Sequence, residues 1–131
     1  MLPGQQRYRH RGAVLSSNDA AGALANETDL AFKAAVGIKA FGELTGLSKY
    51  SCISKERADL IYNQGLYTNE QKAHFVLQYP ENLAFSKIPY NLYPDILLGL
   101  ETFPQEPHKM SSTFFKSVRA EYRVPLDHRQ D

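Results

Sequence analysis

Residues 26–47 read NETDLAFKAAVGIKAFGELTGL: a helix start, an apolar helical body and a helix stop, in that order. Asn26 offers an N-cap whose side-chain oxygen can accept the N–H of Asp29, and the acids Glu27 and Asp29 suit the positive end of a helix dipole. Leu30, Ala34, Ile38 and Phe41 then recur at steps of three and four. Ala31, Ala35 and Leu44 widen the stripe, which lies along one side of an α-helix. Lys33, Lys39 and Glu43 fall off it. Gly46 can take the left-handed conformation that closes a helix, with Leu47 folding back onto Phe41. A helix of about nineteen residues is about 28 Å long, the width of a compact domain with a radius of gyration of about 14 Å. The remaining elements are therefore expected to pack on it. Gly37 and Gly42 each weaken this helix by about 1 kcal/mol relative to alanine, and they read as flat spots where another backbone comes close.

The 131 residues amount to one domain with tails. A formal net charge of +1 provides no bulk field to draw in nucleic acid or an anionic membrane. The signs are uneven: residues 1–18 carry Arg7, Arg9 and Arg11 and no acid, whereas residues 73–108 set Lys87 against Glu81, Asp95, Glu101 and Glu106. The single Cys52 excludes an internal disulfide and a cysteine-based zinc site, and it fits a reducing intracellular compartment. No apolar run approaches the ~20 residues of a membrane span, and the N-terminus lacks the apolar core of a secretory signal.

Outward from the central helix, residues 1–15 are aperiodic and basic, an extended arm in which Arg7, Tyr8, Arg9 and Arg11 gather cations around an aromatic ring. Residues 16–125 read as a single helical domain. Within it, 16–47 is the central helix region, with a short helix from Asp19 to Ala25. A loop follows, and 54–79 forms a helical hairpin: Ser54 caps one helix, Gly65 stops it, and Thr68 with Gln71 opens the next in capping-box spacing. A helix also fits residues 111–124, capped by Ser111 or Ser112, with Phe114, Phe115, Val118 and Tyr122 on its apolar side and Pro125 as its stop. Residues 126–131 read as a solvated tail.

The stretch 80–108 is unusual. It holds five of the seven prolines, yet it is rich in large apolar residues, among them Tyr90, Leu92, Tyr93, Ile96, Leu97 and Phe103. A disordered linker would lack such residues, and a regular helix or central strand would not tolerate the prolines. The expected compromise is an apolar strap of short helical turns and extended links, with Pro94 in the first turn of a short helix.

Catalytic signals are weak. Lys49, Lys55 and Arg57 near Cys52 would favour a thiolate, and such an enzyme would need His74 brought to it. The four histidines are scattered with no i, i+4 pair, so no metal or other cofactor is expected. No phosphate-binding, dinucleotide-binding or zinc-protease signature occurs. The sequence thus predicts a mainly α, small irregular helical domain of about four to five helices with an extended arm and a proline-rich apolar strap. Its expected role is that of a non-catalytic structural or accessory subunit of a larger assembly. The expected contacts to other protein subunits are Arg7, Tyr8, Arg9, Arg11, Tyr90, Leu92, Tyr93, Ile96, Leu97 and Phe103. The alternatives are a nucleic-acid-associated protein using the arm and the last helix, or a small enzyme built on Cys52.

Overall fold

The computed structural model describes residues 15–18, 22–25, 27–64, 68, 73–78, 86–87, 89–122 and 127–128. The chain is mainly helical. Among the described residues four α-helices carry the architecture: α1 (Thr28–Thr45), α2 (Ser48–Ala58), α3 (Tyr93–Leu97) and α4 (Gln105–Val118). Short β pairings accompany them. β1 (Leu15–Asn18) and β2 (Gly22–Ala25) form an antiparallel hairpin, with Leu15 opposite Ala25. The two-residue strands β3 (Phe75–Val76), β4 (Ser86–Lys87) and β5 (Asp127–His128) form an antiparallel sheet in the order β3-β4-β5.

α1 and α2 make an antiparallel helical hairpin joined by Gly46 and Leu47 alone. Gly46 sits at φ 69°, the left-handed stop expected of it. The helices meet through small residues. A Cβ at Gly42 would come within 3.1 Å of the Ser51 amide nitrogen, and the Ser54 hydroxyl donates to the Ala35 carbonyl at 2.9 Å. Lys39 reaches Glu43 at 2.6 Å and the Ser51 hydroxyl at 3.4 Å. Gly42 is thus the close approach expected of it, whereas a Cβ at Gly37 would meet nothing within 4 Å.

The inward face of α1 is not the one its periodicity suggested. Thr28, Phe32, Ala35, Val36 and Gly42 are buried, while Ala34, Phe41 and Leu44 are exposed. The buried stripe is helical in spacing, but Thr28, Lys39 and Gly42 disguise it, because apolar residues surround the helix and periodicity alone cannot select a side. The cap also moves. Glu27 is the N-cap, its carboxylate accepting the Leu30 N–H at 3.1 Å. The Thr28 N–H donates to the Leu77 carbonyl at 3.1 Å, and its hydroxyl donates to the Val76 carbonyl.

Other elements differ as well. α2 begins at Ser48, not Ser54, so Ser54 is an interior residue rather than a cap. Its inward stripe of Ser51, Ser54 and Ala58 contains no large apolar side chain to mark it. α2 then widens into a π-turn over Asp59–Asn63, where the Gln64 N–H reaches back to the Asp59 carbonyl at 3.0 Å. The second helix of the 54–79 hairpin is absent at its described positions: Phe75–Val76 is a strand, and Thr68 bridges to Phe75. Gly22–Ala25 is likewise a strand where a short helix was expected, and Asp127–His128, within the expected tail, pairs with β4. α4 starts six residues ahead of Ser111, because Pro107 falls in its first turn, where a missing N–H breaks no helical bond. It ends at Val118, and Tyr122 is exposed. Gly65 and Asn26 lie outside the described residues.

Phe32 is the centre of the core. It meets Phe75 edge-on at 4.7 Å and Phe103 at 4.9 Å, and Ala35, Val36, Ala58, Ile61 and Leu92 complete the cluster. α1, the end of α2, β3 and both ends of the strap thus converge on one aromatic ring.

Candidate functional site

The strap is the best-defined surface feature, and its geometry follows from three anchors. Asn91 donates from its backbone N–H and its amide to the Asp29 carboxylate at 2.9 and 2.8 Å. Leu92 enters the core. Asp95, 2% exposed, accepts the backbone N–H groups of Thr102 at 2.8 Å and Phe103 at 3.0 Å. Between these anchors a 3-10 turn (Tyr90–Leu92) runs into α3, which has Pro94 in its first turn. α3 is closed by a full Schellman pair: the Leu100 N–H binds the Asp95 carbonyl and the Gly99 N–H the Ile96 carbonyl, with Gly99 at φ 60°. Over residues 89–104 the strap is therefore the run of short turns and extended links that its prolines imply.

Residues pointing inward on this helical run are 92 and 95, so 90, 93, 96 and 97 share the opposite side. Tyr90, Tyr93, Ile96, Leu97 and Leu98 are each more than half exposed. Leu92 and Phe103, at 3% and 4%, are committed to the chain's own core, which removes them from the expected contact surface. Arg7, Tyr8, Arg9 and Arg11 lie outside the described residues. A second apolar area was not expected. Phe41, Leu44, Leu47 and Ile53 are exposed around the α1–α2 connection, with Leu44 at 86%. The signal for it was present in α1, which is apolar on more sides than a single hairpin can cover.

The candidate chemical groups are held in structural contacts. Asp95 and His108 approach at 3.6 Å, and burial pushes the His108 pKa below its ordinary 6.5, the nearby Asp95 carboxylate offsetting only part of that effect. His74 stacks on Phe114 at 4.9 Å, with its Nδ1 3.0 Å from the Phe75 carbonyl. The Ser112 and Ser117 hydroxyls donate to carbonyls within α4. Cys52 is exposed on α2. Among the described residues no three His, Cys, Asp or Glu side chains cluster as a metal site, and no helix is long and apolar enough to cross a membrane.

Comparison with known proteins places this geometry in context. The family described as "Glutaminase A six helical-hairpin domain" matches residues 9–131. The chain is 35% identical over 122 residues to a protein named glutaminase A from Aspergillus oryzae. The match covers 88% of this chain and 18% of that relative. No solved structure matches the chain.

Proposed function

This chain belongs to the glutaminase A six helical-hairpin domain family, and from that membership we propose that it is a non-catalytic structural segment of a larger assembly. In this reading, further helical hairpins cover its two exposed apolar areas. The observation that carries the proposal is the second apolar face of α1 together with the outer face of the strap. Leu44 is 86% exposed, and Ile96 and Leu97 are 60% and 64% exposed. Exposed apolar area of this kind marks a surface that another part of a larger body covers, and burying each such side chain would contribute about 1–2 kcal/mol. One hairpin, α1–α2, is complete here, and a domain of six supplies neighbours of the same kind. The relative's name makes it a glutaminase. The chain spans 18% of its length, and we assign no step of that activity to this segment.

The test is reconstitution. A. oryzae glutaminase A lacking its matching segment is mixed with this chain, and the complex is sized. A 1:1 complex that Leu44→Glu or Leu97→Glu weakens, with the circular dichroism of the chain unchanged, is the expected result. A chain that stays monomeric, binds no hydrophobic dye and ignores the truncated relative would overturn the proposal, as would glutaminase activity in the chain alone.

A further inference from the structure

One residue closes the loop that follows α3. Asp95 accepts the Leu100 N–H on its carbonyl at 3.0 Å, and its two carboxylate oxygens accept the N–H groups of Thr102 and Phe103. Those bonds frame Ile96, Leu97 and Leu98, the exposed apolar side chains of the strap, and they bring Phe103 to Phe32. The closed loop is under tension at two neighbouring residues. Glu101 is the one described non-glycine residue at positive φ, 54°, a region an L side chain occupies only at a cost. The Thr102 hydroxyl is buried without a hydrogen-bond partner in the chain, so it gains when the loop opens to water.

The Asp95 carboxylate has a titratable neighbour on another element. His108, near the start of α4, has its Nε2 3.6 Å from Asp95 Oδ2, and its side chain is 17% exposed. The gap is too long for a hydrogen bond, and that oxygen already accepts the Phe103 N–H. Among the described residues no lysine or arginine pairs with Asp95, and Glu101, Glu106 and Lys109 are exposed. A neutral imidazole suits these surroundings. An imidazolium does not, because it is largely withdrawn from water and the carboxylate beside it is engaged by two backbone donors. Burial accordingly holds the His108 pKa below its ordinary 6.5, and Asp95 offsets only part of that effect.

We propose that Asp95 and His108 form a proton-operated latch on the strap. With His108 neutral, the loop at 99–103 stays closed and the outer face keeps its shape. Once protonated, the imidazolium takes Asp95 Oδ2 for itself and frees the Phe103 N–H. Glu101 and Thr102 then relax, and Ile96, Leu97 and Leu98 lose their frame. What the latch controls, the attachment of a covering hairpin, rests on the docking reading; the latch itself is a property of this chain alone.

Hydrogen exchange followed by NMR tests it on the full chain between about pH 8 and about pH 5.5, with rates corrected for the intrinsic effect of pH and the His108 ring titrated in the same samples. Protection of the Thr102 and Phe103 amides should fall with the midpoint of the ring, while the Phe32 and Val36 amides of α1 keep theirs. The loss should reach at most about tenfold at the acid end, the limit for one proton whose ordinary pKa lies about one unit above that pH. His108→Gln, which keeps a neutral N–H donor, should remove the step. In reconstitution with the truncated relative, the same acidification should weaken the complex of the unaltered chain by a similar factor and leave that of His108→Gln unchanged. Thr102 and Phe103 protection that ignores the ring, that falls only together with α1, or that keeps its step in His108→Gln would overturn the latch. A complex absent at both pH values would count against the docking reading alone, because the amide protection judges the latch by itself.

Discussion

Replacing Gly37 and Gly42 by alanine, one at a time, tests how the central hairpin is held together. Both glycines lie inside α1, and each substitution gains about 1 kcal/mol of helix propensity. At Gly37 nothing lies within 4 Å of the new methyl group. The gain should therefore appear whole, as an increase of about 1 kcal/mol in unfolding free energy. At Gly42 the methyl would sit 3.1 Å from both the Ser51 amide nitrogen and the Tyr50 Cβ, and 3.2 Å from the Ser51 hydroxyl. The Ser51 hydroxyl can rotate, but the amide nitrogen and the Tyr50 Cβ belong to the backbone of α2 or lie directly on it and cannot. Moving α2 outward would stretch the Ser54–Ala35 hydrogen bond at 2.9 Å and loosen the Phe41–Tyr50 contact at 4.9 Å. Overpacking of this kind costs about 1–3 kcal/mol, so after the propensity gain of about 1 kcal/mol Gly42→Ala should lose up to about 2 kcal/mol net. Urea denaturation followed by far-UV circular dichroism measures both. The midpoint should rise for Gly37→Ala and fall for Gly42→Ala, with the slope unchanged. If Gly42→Ala stabilised the chain as much as Gly37→Ala, the small-residue contact between α1 and α2 would not exist as described.

Asp95→Ala removes the acceptor for two buried N–H groups, those of Thr102 and Phe103, and should destabilise the fold by roughly 2–4 kcal/mol in the same denaturation assay. His108 should make stability depend on pH. Its pKa is lowered in the folded chain, so the unfolded chain holds the proton more tightly; stability is full above 6.5 and is lost progressively as pH falls from 6.5 towards the lower folded value. Denaturation midpoints measured against pH should show this step, and His108→Asn should abolish it. Glu101→Gly relieves a left-handed backbone that costs a non-glycine residue about 1–2 kcal/mol. After the greater freedom of glycine in the unfolded chain is deducted, a rise of up to about 1 kcal/mol is expected in thermal unfolding.

The features legible in the sequence were those encoded by local backbone chemistry. Gly46 stopped α1 because only glycine takes φ 69° without cost. Pro94 opened α3, and the proline-broken strap adopted short turns for the reason its composition gives. What stayed hidden was set by partners distant in sequence. α2 carries Ser51, Ser54 and Ala58 inward, a pattern with no hydrophobic periodicity, and its fit depends on Gly42 and Ala35 across the interface. The residues from Thr68 to Val76 carry a capping box and helical spacing, yet Phe75 is drawn into a strand where it meets Phe32 at 4.7 Å. Tertiary burial of one aromatic ring outweighed a local helix preference of a few tenths of a kcal/mol per residue.

The two kinds of surface on α1 explain why its periodicity misled and why the chain reads as part of something larger. A helix that ends one protein's structure has one apolar stripe and one polar face. α1 instead meets α2 through glycine, alanine and serine, a contact that needs little apolar area because the backbones lie close. Phe32 enters the core, but Phe41 and Leu44 are left on the outside. The strap repeats the arrangement: a buried Asp95 carboxylate and the Asp29–Asn91 pair fix it from beneath, and Ile96, Leu97 and Leu98 point away. In both places some bulky apolar groups enter the core, Phe32 from α1 and Leu92 from the strap, while others are left facing out. A chain standing alone in water would gain by hiding the outer groups as well, about 25 cal/mol for each Å² of apolar surface buried. Apolar surface left outside in this way suits a helical domain carried within a larger protein, where other parts of that protein can cover it.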